Sequence, residues 1–359
     1  MRSQIKIVLL TPGFAADESD TTTIPSLQLY TKSLSSHYPG LNIKVITFHY
    51  PFKKGQYTLN GIQVYSFAGK GRKWYKPFLW INILMLLYRI RKNTGIDIVH
   101  SFWLSETTFT GWLFCRLTGT PFLATAMGQD VMKSNKYLRI LRFFSFNVTM
   151  ISGFQSNFLK PFGKSTVYKV VPFGIDPSFY HRLKNERTLD ILGVGSLNSV
   201  KNWDQFLEII EILVSRFPSI RCKIIGEGPE KAHLEETVDT KGLGKNIFFT
   251  GSLPYNEVIE EMESANVLLH TAKFEGQALV ILEALASGSY VVSSPVGIAT
   301  SLTSKKLMTG INTEELVCHL INIFSLKDPD FEPEIHFTIE DTCREYNSIY
   351  HTLAPGKEE

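Results

Sequence analysis

The stretch Phe274-Glu275-Gly276-Gln277-Ala278-Leu279-Val280-Ile281-Leu282-Glu283-Ala284-Leu285-Ala286-Ser287-Gly288 decides how the rest of the chain is read. An apolar run from Ala265 to His270 precedes it, and Tyr290-Val291-Val292-Ser293 follows. The order reads as strand, glycine-containing turn, helix, glycine stop, strand. Gly288 suits the left-handed residue that ends a helix, and the β-branched run after it suits a buried parallel strand. A turn entering a helix presents amides without intrahelical partners at the positive end of the helix dipole, a ready site for phosphate. The amides near Gln277, Ala278 and Leu279 are the expected donors, and Gly276, with no Cβ, lets an anion approach the backbone. Two acids bracket the site, Glu275 in the turn and Glu283 two turns on. Carboxylates beside a diphosphate make chemical sense as holders of sugar and ribose hydroxyls.

Within this phrase, Glu275 and Glu283 resemble the E-x7-E pattern of the family 4 retaining glycosyltransferases, two-domain GT-B enzymes that use nucleotide-sugar donors. The resemblance implies that Glu275 faces the donor sugar and that Glu283 holds the ribose. It runs continuously over residues 189–297 and more loosely over the first half. Leu189–Leu197 reads as a strand entering a glycine turn, followed by Lys201-Asn202-Trp203-Asp204. By resemblance Lys201 clamps the donor diphosphate, whereas Ser196 stands where the family has an Arg. A hydroxyl in place of a charge-assisted bond implies a loss on the order of 1.5–3 kcal/mol in donor binding, or compensation elsewhere. Gly226-Glu227-Gly228-Pro229 matches the family's Gly-x-Gly-Pro phrase and brings Gly228 to the donor site. Phe249–Pro254, with Leu253, borders the base.

The first half alternates strand and helix, which implies a doubly wound α/β domain with ligands beyond the C-terminal ends of its strands. Strands are expected at 5–10, 43–48, 62–67, 96–99, 121–126, 147–151 and 166–171, and helices at 26–37, 77–92, 106–117, 136–144 and 154–160. The loop after the first strand, Thr11 to Asp20, contains Gly13, which the resemblance places near the donor diphosphate, and then an acidic run. His100 ends a strand and reads as structural or as a support behind the residues that touch ligand. Thr125-Ala126-Met127-Gly128-Gln129-Asp130 falls where the family shows His-Gly-x-Asp. Met127 replaces the His and can neither donate nor accept a proton; Gln129 and Asp130 are expected to touch sugar hydroxyls, Asp130 as a catalytic residue with Glu275 and Lys201. The helix 77–92 is the most apolar segment, too short to span a bilayer. It reads either as buried between sheet and neighbours or as resting its basic, aromatic entry, Arg72 to Lys76, on an anionic membrane.

The resulting expectation is a GT-B fold: two doubly wound, Rossmann-like α/β domains facing a central cleft. The first covers residues 1–180 and takes the acceptor, the second covers 188–337 and takes the nucleotide sugar, and a terminal helix at 338–353 crosses back to the first. Residues 181–187 read as the linker, Thr300–Ile311 as a shortened segment, and Asp328-Pro329-Asp330 as a turn with no metal. No metal or cofactor is expected.

Composition and charge bound the function. At 359 residues, 44% hydrophobic and 20% charged, the chain is ordinary for globular domains with full cores. Its four scattered cysteines form no CxxC pair, which argues against a disulfide framework and a zinc site. Residues 1–180 hold 21 Lys and Arg against 7 Asp and Glu, a net of +14, and the remainder balances this at −11. With no zinc finger, RNP-like strand or basic heptad helix, nucleic acid is a weaker partner for the basic half than an anionic membrane or acidic acceptor. The start reads as a first strand rather than a signal peptide, giving a cytoplasmic expectation, peripheral at the inner membrane face. The expected activity is metal-independent, retaining transfer of a sugar from a nucleotide diphosphate to a glycan or lipid-linked acceptor, in polysaccharide or surface-glycan synthesis. The alternatives are a weakened GT-B-fold binding partner and a nucleotide-sugar epimerase.

Overall fold

A computed structural model describes residues 4–159, 166–180 and 187–354. The chain divides into two compact units, residues 1–174 with 339–359, and residues 175–338. The first unit holds β1 (Ile5–Gly13), α1 (Pro25–His37), β2 (Leu41–Tyr50), β3 (Gly55–Leu59), β4 (Ile62–Ser66), α2 (Lys76–Asn93), β5 (Ile98–Phe102) and α3 (Glu106–Thr118). It continues through β6 (Phe122–Ala126), α4 (Leu138–Leu141), β7 (Asn147–Met150), α5 (Ser156–Leu159) and β8 (Thr166–Val170). Its sheet has the order β3-β4-β2-β1-β5-β6-β7-β8, with every neighbouring pair parallel except β3 against β4. The apolar runs are buried on both faces because helices cover a parallel sheet on both sides.

Several elements depart from the sequence reading. β1 continues through Gly13, which pairs with Tyr50, so Gly13 ends a strand instead of lying in a loop. β3 was not expected; it forms a hairpin with β4 through Asn60 and Gly61, both at positive φ. The helix expected at 136–144 shrinks to the single turn α4. Around it most amides bond three residues back instead of four, as Arg139 N does to Lys136 O at 3.3 Å and Phe143 N to Ile140 O at 3.1 Å. The Asn135 side chain ties the segment to the Leu104 and Asp130 carbonyls, each at 2.7 Å. The helix expected at 154–160 starts as a 3-10 turn, and Lys160 lies outside the described residues, as does 181–186 of the expected linker.

The second unit holds β9 (Leu189–Val194), α6 (Trp203–Arg216), β10 (Cys222–Ile225), α7 (Lys231–Thr240), β11 (Ile247–Gly251), α8 (Tyr255–Ser264) and β12 (Ala265–His270). Then come α9 (Leu279–Ala286), β13 (Tyr290–Ser293), β14 (Leu307–Thr309) and α10 (Thr313–Phe324). The sheet is wholly parallel in the order β11-β10-β9-β12-β13-β14. α6 buries Trp203, Phe206, Leu207, Ile210 and Leu213, a three-and-four spacing that lays one face on this sheet. The division falls at residue 174 rather than 180. Ile175 donates to the Phe337 carbonyl at 3.1 Å, and the Tyr180 ring is buried in the second core.

The last helix, α11 (Ile339–Leu353), belongs to the first unit. It packs against α1 and buries Cys343, Tyr346 and Tyr350 in that unit's core. The Tyr350 hydroxyl lies 2.8 Å from that of Tyr30 and 2.7 Å from His100 Nδ1. His100 Nε2 meets Thr125 Oγ1 at 2.7 Å, and Tyr346 reaches the Thr125 and Thr149 hydroxyls. Complete burial pushes His100 down to about 3, so the ring is neutral and joins the network as donor and acceptor. His100 lies in the middle of β5 and not at a strand end, and its ring ties α11 to the sheet. Tyr350→Phe should strand two buried polar groups and cost about 1–3 kcal/mol, read as a lower urea midpoint.

Candidate functional site

The site in the second unit is built on the C-terminal ends of four adjacent strands, β11, β10, β9 and β12. The turns after the first three are laced together by main-chain bonds. Gly195 N donates to Ile225 O, Leu197 N to Glu227 O and Gly226 N to Gly251 O, each at 2.9 Å. Such close approach demands glycine: a Cβ on Gly226 would lie 1.9 Å from the Gly195 carbonyl oxygen, and one on Gly228 2.2 Å from that of Leu197. Gly228 therefore holds two turns together. Ser196 sits exposed in the first turn, its hydroxyl accepting from Asn198 Nδ2 at 2.8 Å. Leu253 lies just after β11 and is packed against the unit's core.

Lys201 closes this first turn ahead of α6. Its backbone is tied down twice: its amide donates to Asn198 O at 3.0 Å, and Thr271 Oγ1 donates to its carbonyl at 3.1 Å. Its Nζ reaches Glu275 Oε1 at 2.5 Å. The same oxygen lies 3.3 Å from Nε2 of His270, the last residue of β12, whose Nδ1 is 3.0 Å from Ser293 Oγ. Burial lowers the His270 pKa, so the ring is neutral and donates from Nε2 to the carboxylate. Burial alone would raise Glu275, but the His270 hydrogen bond and the Lys201 charge outweigh it and hold the carboxyl at about 2. Glu275 is thus ionised at all physiological pH.

α9 starts immediately beyond. Its N-cap, Ala278, is left-handed (φ 65°, ψ 61°) and provides no side-chain cap; α6 begins the same way at Asn202. A left-handed alanine is strained, and strain of this kind collects where a ligand uses the backbone. The first-turn amides of α9 have no partner four residues back within the helix. Gln277 is buried, and its carbonyl accepts from Ile298 N at 2.7 Å, fixing the turn that contains Gly276. The helix ends at Gly288, where φ is 78° and a Cβ would meet the Phe331 carbonyl at 2.0 Å. Glu283, on α9, is buried, and burial pushes it up to about 7 against an opposing hydrogen bond from Tyr255. The Tyr255 hydroxyl lies 2.9 Å from that of Tyr180.

Ser196, Lys201, Gly228, Leu253, Glu275–Leu279 and Glu283 thus share one edge of one sheet. Residue patterns singled out neither His270 nor the Tyr180–Tyr255 pair. His270 carried a signal, a polar residue closing a buried strand five positions before Glu275; the tyrosines carried none. Arg187, expected in the linker, is instead pinned in the unit. Its guanidinium donates to the Met262 carbonyl at 3.1 Å and to that of Ser287, just past α9, at 2.6 Å. Asp330 of the D-x-D turn accepts from buried Lys306 at 3.3 Å. Among the described residues no group of three or more His, Cys, Asp or Glu could hold a metal ion.

Gly13 and Asp130 belong to the first unit. Both Asp130 oxygens are engaged by the chain's own amides: Leu104 at 2.7 Å, Gly128 at 2.6 Å and Met127 at 3.2 Å. With these bonds it clamps its own loop. Met127 packs against the unit's apolar core, which accounts for a sulfur-bearing side chain there. In the acidic loop, Asp20 accepts from the Ala16 and Thr23 amides and the Tyr50 hydroxyl, so it orders its own loop.

Residues 15–154 match the family model for glycosyl transferase 4-like domains, and residues 177–314 match that for glycosyl transferases group 1. A human phosphatidylinositol N-acetylglucosaminyltransferase chain is 28% identical over 133 residues, which cover 36% of this chain and 28% of that protein. The chain spans less than half the length of the curated relatives it matches. Sucrose-phosphate synthase from Thermosynechococcus elongatus superposes with a TM-score of 0.76 at 14% identity, covering 98% of this chain and 99% of that one. HepE of Anabaena, solved with UDP and glucose, gives 0.69 at 15% identity, covering 98% and 96%. These likenesses establish the fold, and with both family models they lead to one conclusion: the chain belongs to the GT4-like glycosyltransferases of the GT-B fold.

Proposed function

We propose that this protein transfers a sugar, with retention of anomeric configuration, from a nucleotide diphosphate to a glycan or lipid-linked acceptor in polysaccharide or surface-glycan synthesis, at the inner face of a membrane. The observation that carries the reading is the Lys201–Glu275–His270 cluster beside the uncapped start of α9. It places a fixed cation and helix amides next to an ionised carboxylate, the combination a diphosphate leaving group and a hydroxyl-rich sugar require. On donor binding, Lys201 and the amides near Gln277–Leu279 carry the charge that develops on the diphosphate, with the Ser196 hydroxyl contributing. Glu275, oriented by His270, accepts from the sugar hydroxyls, and Glu283 accepts from the ribose. Neither metal nor cofactor enters the proposal, so transfer should persist in EDTA. The human relative is named for a phosphatidylinositol acceptor and HepE holds UDP, which support a lipid-linked acceptor and make uridine the first base to try.

A second reading, a donor-binding protein without turnover, is favoured by Met127, whose packing leaves no proton-transferring group at that position. Nucleotide binding without transfer or donor hydrolysis would select it.

The primary test is thermal denaturation with UDP, GDP, ADP and their sugar conjugates. Ligand at 100 times its Kd should stabilise the native state by about 2.7 kcal/mol, and Glu283→Ala should abolish that shift. No shift with any nucleotide would remove the reading. Lys201→Ala should lower kcat by about 10²–10³-fold, measured with whichever nucleotide sugar binds. Ribose hydroxyls favour the ionised form of Glu283, so affinity for a nucleotide sugar should rise as pH increases through about 7. The ligand-free protein should run the other way. Its native state holds the extra proton between the ordinary 4.5 and about 7, so stability should fall as pH rises across that window. Glu283→Gln should flatten both profiles, followed by calorimetry and by chemical denaturation.

A further inference from the structure

We propose that the outer face of α2 is an interfacial anchor that lies in the surface of an anionic membrane; the inference deepens the membrane-side reading above and rests on it. The apolar helix was expected either buried or touching a membrane only at its entry, and the structure gives it two apolar faces. Leu79, Ile83, Leu87 and Ile90 are buried beneath it. On the opposite side Phe78 (60% exposed), Ile81 (53%), Met85 (53%) and Tyr88 (43%) stand in solvent, and Trp74 (71%) is exposed in the short 3-10 turn ahead of the helix. The three-and-four spacing of those on the helix makes one stripe, and from Phe78 to Tyr88 it runs about 15 Å along the helix. Isolated exposed apolar side chains are commonplace, but four large ones in register, with a tryptophan at the entry, mark a contact surface.

The helix is also held firmly. Buried Glu106, at the start of α3, accepts from Lys76 Nζ at 2.7 Å, Trp80 Nε1 at 2.9 Å and His49 Nε2 at 2.9 Å. Lys76 and Trp80 are therefore committed inward while the stripe faces out, so the exposed face is displayed on a fixed base.

Charge identifies the occupant. Between Asp20 and Asp97 the chain has eleven Lys and Arg and no Asp or Glu. Arg72, Lys73, Arg89, Arg91 and Lys92 are exposed on α2 and its entry. A second copy docking through the same stripe would set basic rim against basic rim, which a twofold contact cannot avoid. An anionic lipid surface satisfies both the apolar stripe and its cationic border. Beside Met85, between α2 and the β3–β4 hairpin, a groove of about 280 Å³ is lined by Lys54, Gln56, Tyr65, Asn82 and Arg89. Two cations and two amides at its wall suit the phosphate of a lipid headgroup. No described helix is long and apolar enough to cross a membrane, so the contact proposed is flat.

The test uses the full chain with vesicles of phosphatidylcholine alone and of phosphatidylcholine mixed with phosphatidylglycerol. Retention is expected on the anionic vesicles only, weakening with salt, with a blue shift in emission that Trp74→Phe removes. The triple variant Phe78→Ser, Ile81→Ser, Met85→Ser should weaken retention about tenfold or more, and Lys54→Glu with Arg89→Glu should remove the preference for anionic lipid. Both variants should keep the wild-type thermal shift with nucleotide, which shows that they fold and that donor binding is intact. The proposal is overturned if protein that still shows the nucleotide shift ignores anionic vesicles, or if the triple variant binds them as well as wild type. It is also overturned if the triple variant abolishes a dimer seen in sedimentation, which would seat a second copy on this face. Loss of the nucleotide shift with vesicle binding retained would instead count against the donor site alone.

Discussion

The carboxylate of Glu275 is the constraint on which the second unit's functional edge depends. Taking it out of water is costly, and it stays ionised only because His270 and Lys201 both meet it. Those partners come from different places, the end of β12 and the loop before α6, so compensating one charge fixes the relative position of three chain segments. Thr271 adds a bond to the Lys201 carbonyl, and the glycine turns bring the neighbouring strand ends to the same level. The arrangement that stabilises the carboxylate also sets the Lys201 cation beside the start of α9, where the proposed donor's diphosphate would sit.

Glu283 shows the opposite solution on the helix that follows. It is buried with a tyrosine hydroxyl as its partner, and Lys201 acts on it only through the field, so it holds its proton to about neutral pH. Two acids on one turn-helix segment thus differ by several pKa units because their neighbours differ, not because of their spacing. That separation suits one carboxylate to permanent charge and the other to a response on ligand contact.

The first unit solves a related problem with neutral groups. His100, Thr125, Thr149, Tyr30, Tyr346 and Tyr350 form a buried network in which every hydroxyl has a partner. Because two of its members lie on α11, the end of the chain completes the core begun by the first strands. A core closed by polar contacts of this kind specifies one docking position for the helix more sharply than apolar contact alone. The Glu106 cluster does the same for the N-terminal turn of α2.

By itself the sequence determined the alternation of strand and helix, the two-unit plan, the glycine-bounded helix with its bracketing acids, and the family. Each of these is a local pattern: a period, a cap, or a phrase of fixed spacing. The Asn60-Gly61 hairpin was legible too, since that pair favours the turn that joins β3 to β4, though the run after it drew the strand assignment alone. What only the tertiary structure decided depends on neighbours distant in the chain. Asp130 became a loop clamp because the amides of residues 104, 127 and 128 converge on it. Arg187 became a helix-end cation because the carbonyls after α8 and α9 surround it. α2 acquired an outer apolar face because the sheet and Glu106 take only one of its sides. Periodicity reports that a face is apolar; which apolar face is covered is settled by what the fold brings against it.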